Sequence, residues 1–115
     1  MTSNIDISAL ISGMKDAASQ VLGTDITTLR GFSDGQIKAI ALQARLVASG
    51  IANGEITEET REFFLDGLED MALNFVKTLR GLLMVTVEKV WNAVVGVIWK
   101  TIESATGITL PSPEH

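Results

Sequence analysis

Glu58, Glu62 and Asp66 follow one another at four-residue spacing, which on a helix lines three carboxylates along one face. A helical bundle offers oxygen ligands to a pair of iron ions in this way. Such centres also draw on Glu-x-x-His pairs, whereas the single histidine is the last residue, His115. The carboxylates are therefore read as a solvated acidic face. A calcium loop would need an Asp-x-Asp-x-Asp-Gly run, which the sequence lacks. Nucleophilic catalysis lacks its parts too: there is no cysteine, no Gly-x-Ser-x-Gly elbow, and no residue pattern that pairs the histidine with a nucleophile. Ser12-Gly13 and Ser49-Gly50 fall on small-residue helix faces, and Gly31-Phe32-Ser33-Asp34-Gly35 lacks the lysine and spacing of a phosphate loop. The expectation is a non-enzymatic protein with no cofactor and no bound metal.

Nine Lys and Arg against fourteen Asp and Glu leave a net charge of −5, and the basic residues are scattered. Nucleic-acid binding draws most of its free energy from clustered cations, so it is not expected. The absence of cysteine leaves the redox compartment unread. Met1-Thr2-Ser3-Asn4-Ile5-Asp6 has neither the basic start nor the apolar run of a secretory signal. Virion or cytoplasm is the expected location, with membrane association left open.

The elements that would position any site are helices. Ile7, Leu10, Ile11, Met14, Ala17, Ala18 and Val21 recur at three-and-four spacing and predict an amphipathic helix over about residues 4–22. A Gly-, Thr- and Asp-rich connector follows. Ser33-Asp34-Gly35-Gln36 has a capping-box pattern and predicts a second helix over 33–53, with Phe32 and Ile37 placed to form a hydrophobic staple. Its inner face would be Ile37, Ile40, Ala41, Ala44, Val47, Ala48 and Ile51. After Asn53-Gly54, Thr57 caps a third helix whose first turn carries Glu58 and Glu59.

From 57 to 105 no proline interrupts, so one helix of roughly 70 Å is conceivable at 1.5 Å per residue. Gly67, Gly81 and Gly96 are the places for a bend or break, Arg80-Gly81 first among them. The two prolines, Pro111 and Pro113, fall in a tail over 108–115 expected to be extended. The fold class is all-α: one domain over 1–115, with two short amphipathic helices and a long apolar third helix, either continuous or bent, in a hairpin or bundle.

The third region changes character along its length. Its first part is acidic; beyond Met71 it is strongly apolar. Residues 81–99 have the length of a membrane span, but Glu88, Lys89 and Asn92 lie inside it, and a charge near the bilayer centre costs about 2.5–3.5 kcal/mol. On a helical wheel Glu88, Lys89, Asn92, Gly96, Lys100 and Glu103 gather on one side, with Val85 and Trp99 intruding. Leu83, Met84, Val87, Val90, Trp91, Val94, Val95, Val97, Ile98 and Ile102 fill the rest.

Gly54-Glu55-Ile56-Thr57-Glu58-Glu59 at a helix start, Leu83-Met84-Val85-Thr86-Val87-Glu88, Asn92-Ala93-Val94-Val95 and a final Gly107 together resemble small helical proteins encoded by tailed bacteriophages. The likeness covers the C-terminal two-thirds of the chain and implies virion or membrane association.

An apolar arc wider than two narrow stripes can cover, in a chain 46% apolar and only 5% aromatic, leads to the functional expectation. The chain is expected to be a structural or assembly protein that homo-oligomerises, with other virion proteins as further partners. The expected interface is Leu83, Val87, Val90, Trp91, Val94, Val95, Ile98, Trp99 and Ile102. The competing expectation is a membrane-active protein, a pore or lipid-surface binder, that uses the same side chains.

Overall fold

The helices start and stop where local hydrogen bonding tells them to. In the computed structural model, which describes residues 5–111, Asp6 caps the first helix by accepting from the Ala9 N–H at 3.1 Å. This helix, α1, spans Ile7–Leu22 and closes at Gly23, whose N–H reaches the Ser19 carbonyl. It starts later than the expected position near Asn4: Asn4 lies outside the described residues, Ile5 and Asp6 are not helical, and the extended backbone of Asp6 with its side-chain cap starts the helix at Ile7. The connector holds a single 3-10 turn, Ile26–Thr28, capped by Asp25, while Ile26 itself is buried. Bonds from the Thr27 backbone N–H, then from its hydroxyl, hold the Asp25 carboxyl below its ordinary pKa. A depressed carboxylate pKa means that this local stabilisation is present at neutral pH and is lost as the pH falls through the lowered value.

The second helix, α2, spans Asp34–Ala52, and Ser33 accepts from the Gln36 N–H at 3.1 Å. The reciprocal half of that capping box does not form, because the Gln36 side chain accepts a bond from the Thr78 hydroxyl at 3.3 Å. Nor is Phe32 taken up by a local staple alone, since its ring meets Phe75 edge-on at 5.9 Å. Ser33→Ala should lower stability by about 1 kcal/mol, read as a shift in the denaturant midpoint; an unchanged midpoint would mean that the cap contributes nothing.

The expected 57–105 helix is two helices. α3 spans Glu58–Lys77 behind a complete capping box between Thr57 and Thr60, and α4 spans Met84–Thr106. The break falls at Arg80-Gly81, where Gly81 takes φ +84°. Two nonlocal interactions seat it. The Arg80 N–H donates to the Arg30 carbonyl at 2.9 Å, and Gly31 passes so near the Thr78 carbonyl that a Cβ there would lie 1.9 Å from its oxygen. The connector before α2 and the connector before α4 therefore cross in direct contact. Folding α4 back lets α3 cover it, and the Trp91 indole N–H donates to the Glu69 carbonyl at 3.0 Å.

The result is four helices around one core, with no strand among the described residues. α4 lies against α1, α2 and α3 alike, most extensively against α1. These two run antiparallel and close together, since a Cβ on Gly13 would come within 3.2 Å of Val97. Residues 107–111 carry no regular structure but are docked: Leu110 is buried, and its N–H donates to the Glu103 carboxylate at 2.7 Å. The expected extended tail beyond residue 111 lies outside the described residues.

Candidate interaction surface

The nine side chains expected at a subunit or lipid contact divide sharply. Val87, Val90, Trp91, Val94, Val95, Ile98, Trp99 and Ile102 are buried in the core of the single chain. Only Leu83 is outside, 73% exposed. α1 and α2 each lay a stripe against α4. The break at Gly81 supplies a third, through Leu65, Leu68, Ala72, Phe75 and Val76 of α3, and the arc closes within one copy. The polar side of the wheel meets solvent as expected, with Glu88, Lys89, Asn92 and Lys100 exposed, while Trp99 turns inward.

Among the exposed large apolar side chains, Leu46 of α2 and Phe63 of α3 stand apart from each other along the chain, and three more fall together at the start of α4. Leu83, Met84 and Val85 are consecutive and 73%, 71% and 56% exposed. Leu83 occupies the cap position with extended backbone, and no side chain satisfies the first N–H groups of the helix. Met84 also borders a shallow cleft of about 160 Å³ floored by Leu73, Val87 and Trp91 and flanked by Lys77 and Glu88. Arg80 stands three residues before Leu83, Arg30 is joined to it through the backbone, and Lys89 follows Val85 by one helical turn. Arg30, Lys77, Arg80 and Lys89 are all exposed, so four cations and one carboxylate, Glu88, lie on the segments next to Leu83, Met84 and Val85 in a chain of net charge −5.

The opposite character appears on the outer face of α3. Phe63 is 76% exposed and packs only edge-on against Phe64 at 5.4 Å. Glu59, Asp66 and Asp70 lie four residues before it and three and seven after it, which sets them on the same face, and all are exposed. Reading the acidic run for metal ligands passed over this phenylalanine. The available signal was a large apolar residue placed among carboxylates at helical spacing.

No group of His, Cys, Asp or Glu among the described residues is clustered closely enough to hold a metal ion. No helix among them is long and apolar enough to cross a membrane. An open groove of about 580 Å³ between α1 and α4 is lined in part by Ala17, Ala93 and Gly96, and it presents no paired acid, base or nucleophile. No family model matches the chain, and no curated protein or solved structure does either.

Proposed function

We propose that this chain is a non-enzymatic assembly protein that associates with copies of itself through side chains outside its core. The observation that carries the reading is the exposure of three large apolar side chains in succession, Leu83, Met84 and Val85, whereas Leu46 and Phe63 are exposed on other helices. Isolated exposed apolar residues are ordinary on protein surfaces; a contiguous group of large ones marks a contact. The virion is the setting we propose, following the resemblance to tailed-phage proteins. Light scattering across a concentration series tests the reading. Leu83→Gln combined with Met84→Ser should reduce self-association while leaving the thermal midpoint nearly unchanged, because both side chains are already in water and Gln, like Leu, is not a favoured helix cap. A wild-type protein that stays monomeric at high concentration and low salt would remove the basis for self-assembly.

The cations around the tip favour a second reading, attachment to an anionic lipid surface, in which the tip enters the headgroup layer and Arg30, Lys77, Arg80 and Lys89 face phosphates. Flotation with vesicles containing phosphatidylserine distinguishes it, since the wild type would float and the double variant would not.

A further inference from the structure

We infer that the cationic apolar tip at the start of α4 docks onto the acidic, Phe63-bearing face of α3 on a second copy, so that copies join head to tail. The inference rests on the assembly reading and names its contact. Each patch has an apolar centre and a charged surround, and the signs are opposite. Leu83, Met84 and Val85 stand among Arg30, Lys77, Arg80 and Lys89, while Phe63 stands among Glu59, Glu62, Asp66 and Asp70. Glu88 beside the tip and the half-buried Arg61 on α3 are the exceptions, and they leave each sign in the majority. Phe63 lies in the second turn of α3, and the tip lies beyond its last residue, Lys77. That separation puts the two apolar centres of one copy roughly 20 Å apart along the helix, too far to touch each other, although Lys77 at the near edge of one patch lies about 10 Å from Asp70 at the near edge of the other.

Charge decides between arrangements. A two-fold contact of tip against tip would press Arg30, Lys77 and Arg80 on one copy against their equivalents, and a contact of α3 against α3 would oppose carboxylates. Like charges across an interface are strongly disfavoured. Tip against α3 neutralises both sets at once. Such a contact uses different surfaces on its two sides, so it propagates into a ring or an open filament rather than stopping at a dimer. Its apolar centre is small, which puts it among weak, concentration-dependent interfaces whose charged surround is screened by salt.

The experiment uses one variant of each patch. Met84→Asp places a carboxylate in the first turn of α4, where the helix dipole tolerates it, and Phe63→Lys places a cation on the acidic face. Each variant keeps one patch intact. By sedimentation velocity at low salt, the wild type should grow beyond dimer with concentration and should dissociate in 0.5 M salt. Each variant alone should self-associate about tenfold more weakly or not at all. An equimolar mixture should form a 1:1 dimer and nothing larger, because one intact tip meets one intact α3 face. A second pair, Leu83→Gln with Asp66→Lys, should behave in the same way and guards against misfolding of either first variant, as does a matched thermal midpoint. If the wild type associates but no mixture dimerises, the head-to-tail contact is wrong and the assembly reading stands. A wild type monomeric throughout overturns both. Flotation of that monomer with phosphatidylserine vesicles, abolished by Met84→Asp, would give the tip to lipid instead.

Discussion

Lysine at position 94 should unfold the chain or leave it severely destabilised. Val94 has no exposed surface and lies on the inner side of α4 with Val90, Trp91 and Ile98. An ammonium placed there must either lose its hydration without a partner or push the helices apart to reach water. The expected cost is on the order of 3–5 kcal/mol, comparable to the whole stability of many small domains. Circular dichroism should show Val94→Lys with a greatly lowered denaturant midpoint, or unfolded in buffer. Lys38→Glu, on the exposed side of α2, should stay within about 0.5 kcal/mol of wild type. A Val94→Lys protein that melted with the wild type would mean that α4 is not the centre of the bundle. Had the arc of α4 been a subunit contact, the same substitution would give folded, separated copies, so the spectrum and the mass together locate the arc.

Alanine at position 31 should be nearly as damaging, through the backbone rather than the core. Gly31 takes φ +88°, and its Cβ would sit 1.9 Å from the Thr78 carbonyl oxygen. The obstacle is main chain and cannot rotate away, so the crossing connectors must separate. Separation would stretch the Arg80 N–H to Arg30 carbonyl bond and unseat the turn that folds α4 back onto α3. The expected loss is about 3 kcal/mol, against about 1–2 kcal/mol for Gly81→Ala, where φ is +84° but a Cβ would meet nothing within 4 Å. Denaturant titration of the two variants isolates the crossing. Equal losses would show that left-handed backbone, and not the close approach, is what matters at Gly31.

The two cases mark where sequence reading succeeds and stops. Helix ends were legible because their signals span three or four residues. Ser33 and Thr57 supply the caps expected of them, and Gly23 and Gly107 close α1 and α4. Arg80-Gly81 was identifiable as the weakest point of the apolar run for the same reason, and the break occurs there. Thr60 as the reciprocal partner of Thr57, and Asp6 as the cap of α1, use equally local rules.

The candidate site was legible only in part. Leu83 was singled out with eight neighbours that share its apolar character, and the fold separates it from them. Nothing in the side chains distinguishes Leu83 from Val90. What distinguishes them is position: Leu83 stands at the cap of α4 and is exposed, whereas Val90 lies two turns inside the helix and is fully buried. Phe63 went unnoticed because the carboxylates around it invited a reading for ligands.

The all-helical character, the helix ends and the inward side of each helix follow from residue type and spacing, because a cap or an amphipathic stripe involves only residues within a turn or two of each other. Which surface covers the wide arc of α4 follows from none of these. It was decided by Gly31 passing against Thr78 and by Arg80 bonding to Arg30, pairs some fifty residues apart that fold α3 onto α4. An apolar side chain seeks removal from water without direction, so spacing shows that Val94 must be covered but not by what. The tertiary arrangement covers it with the chain's own helices and leaves Leu46, Phe63, Leu83, Met84 and Val85 in solvent.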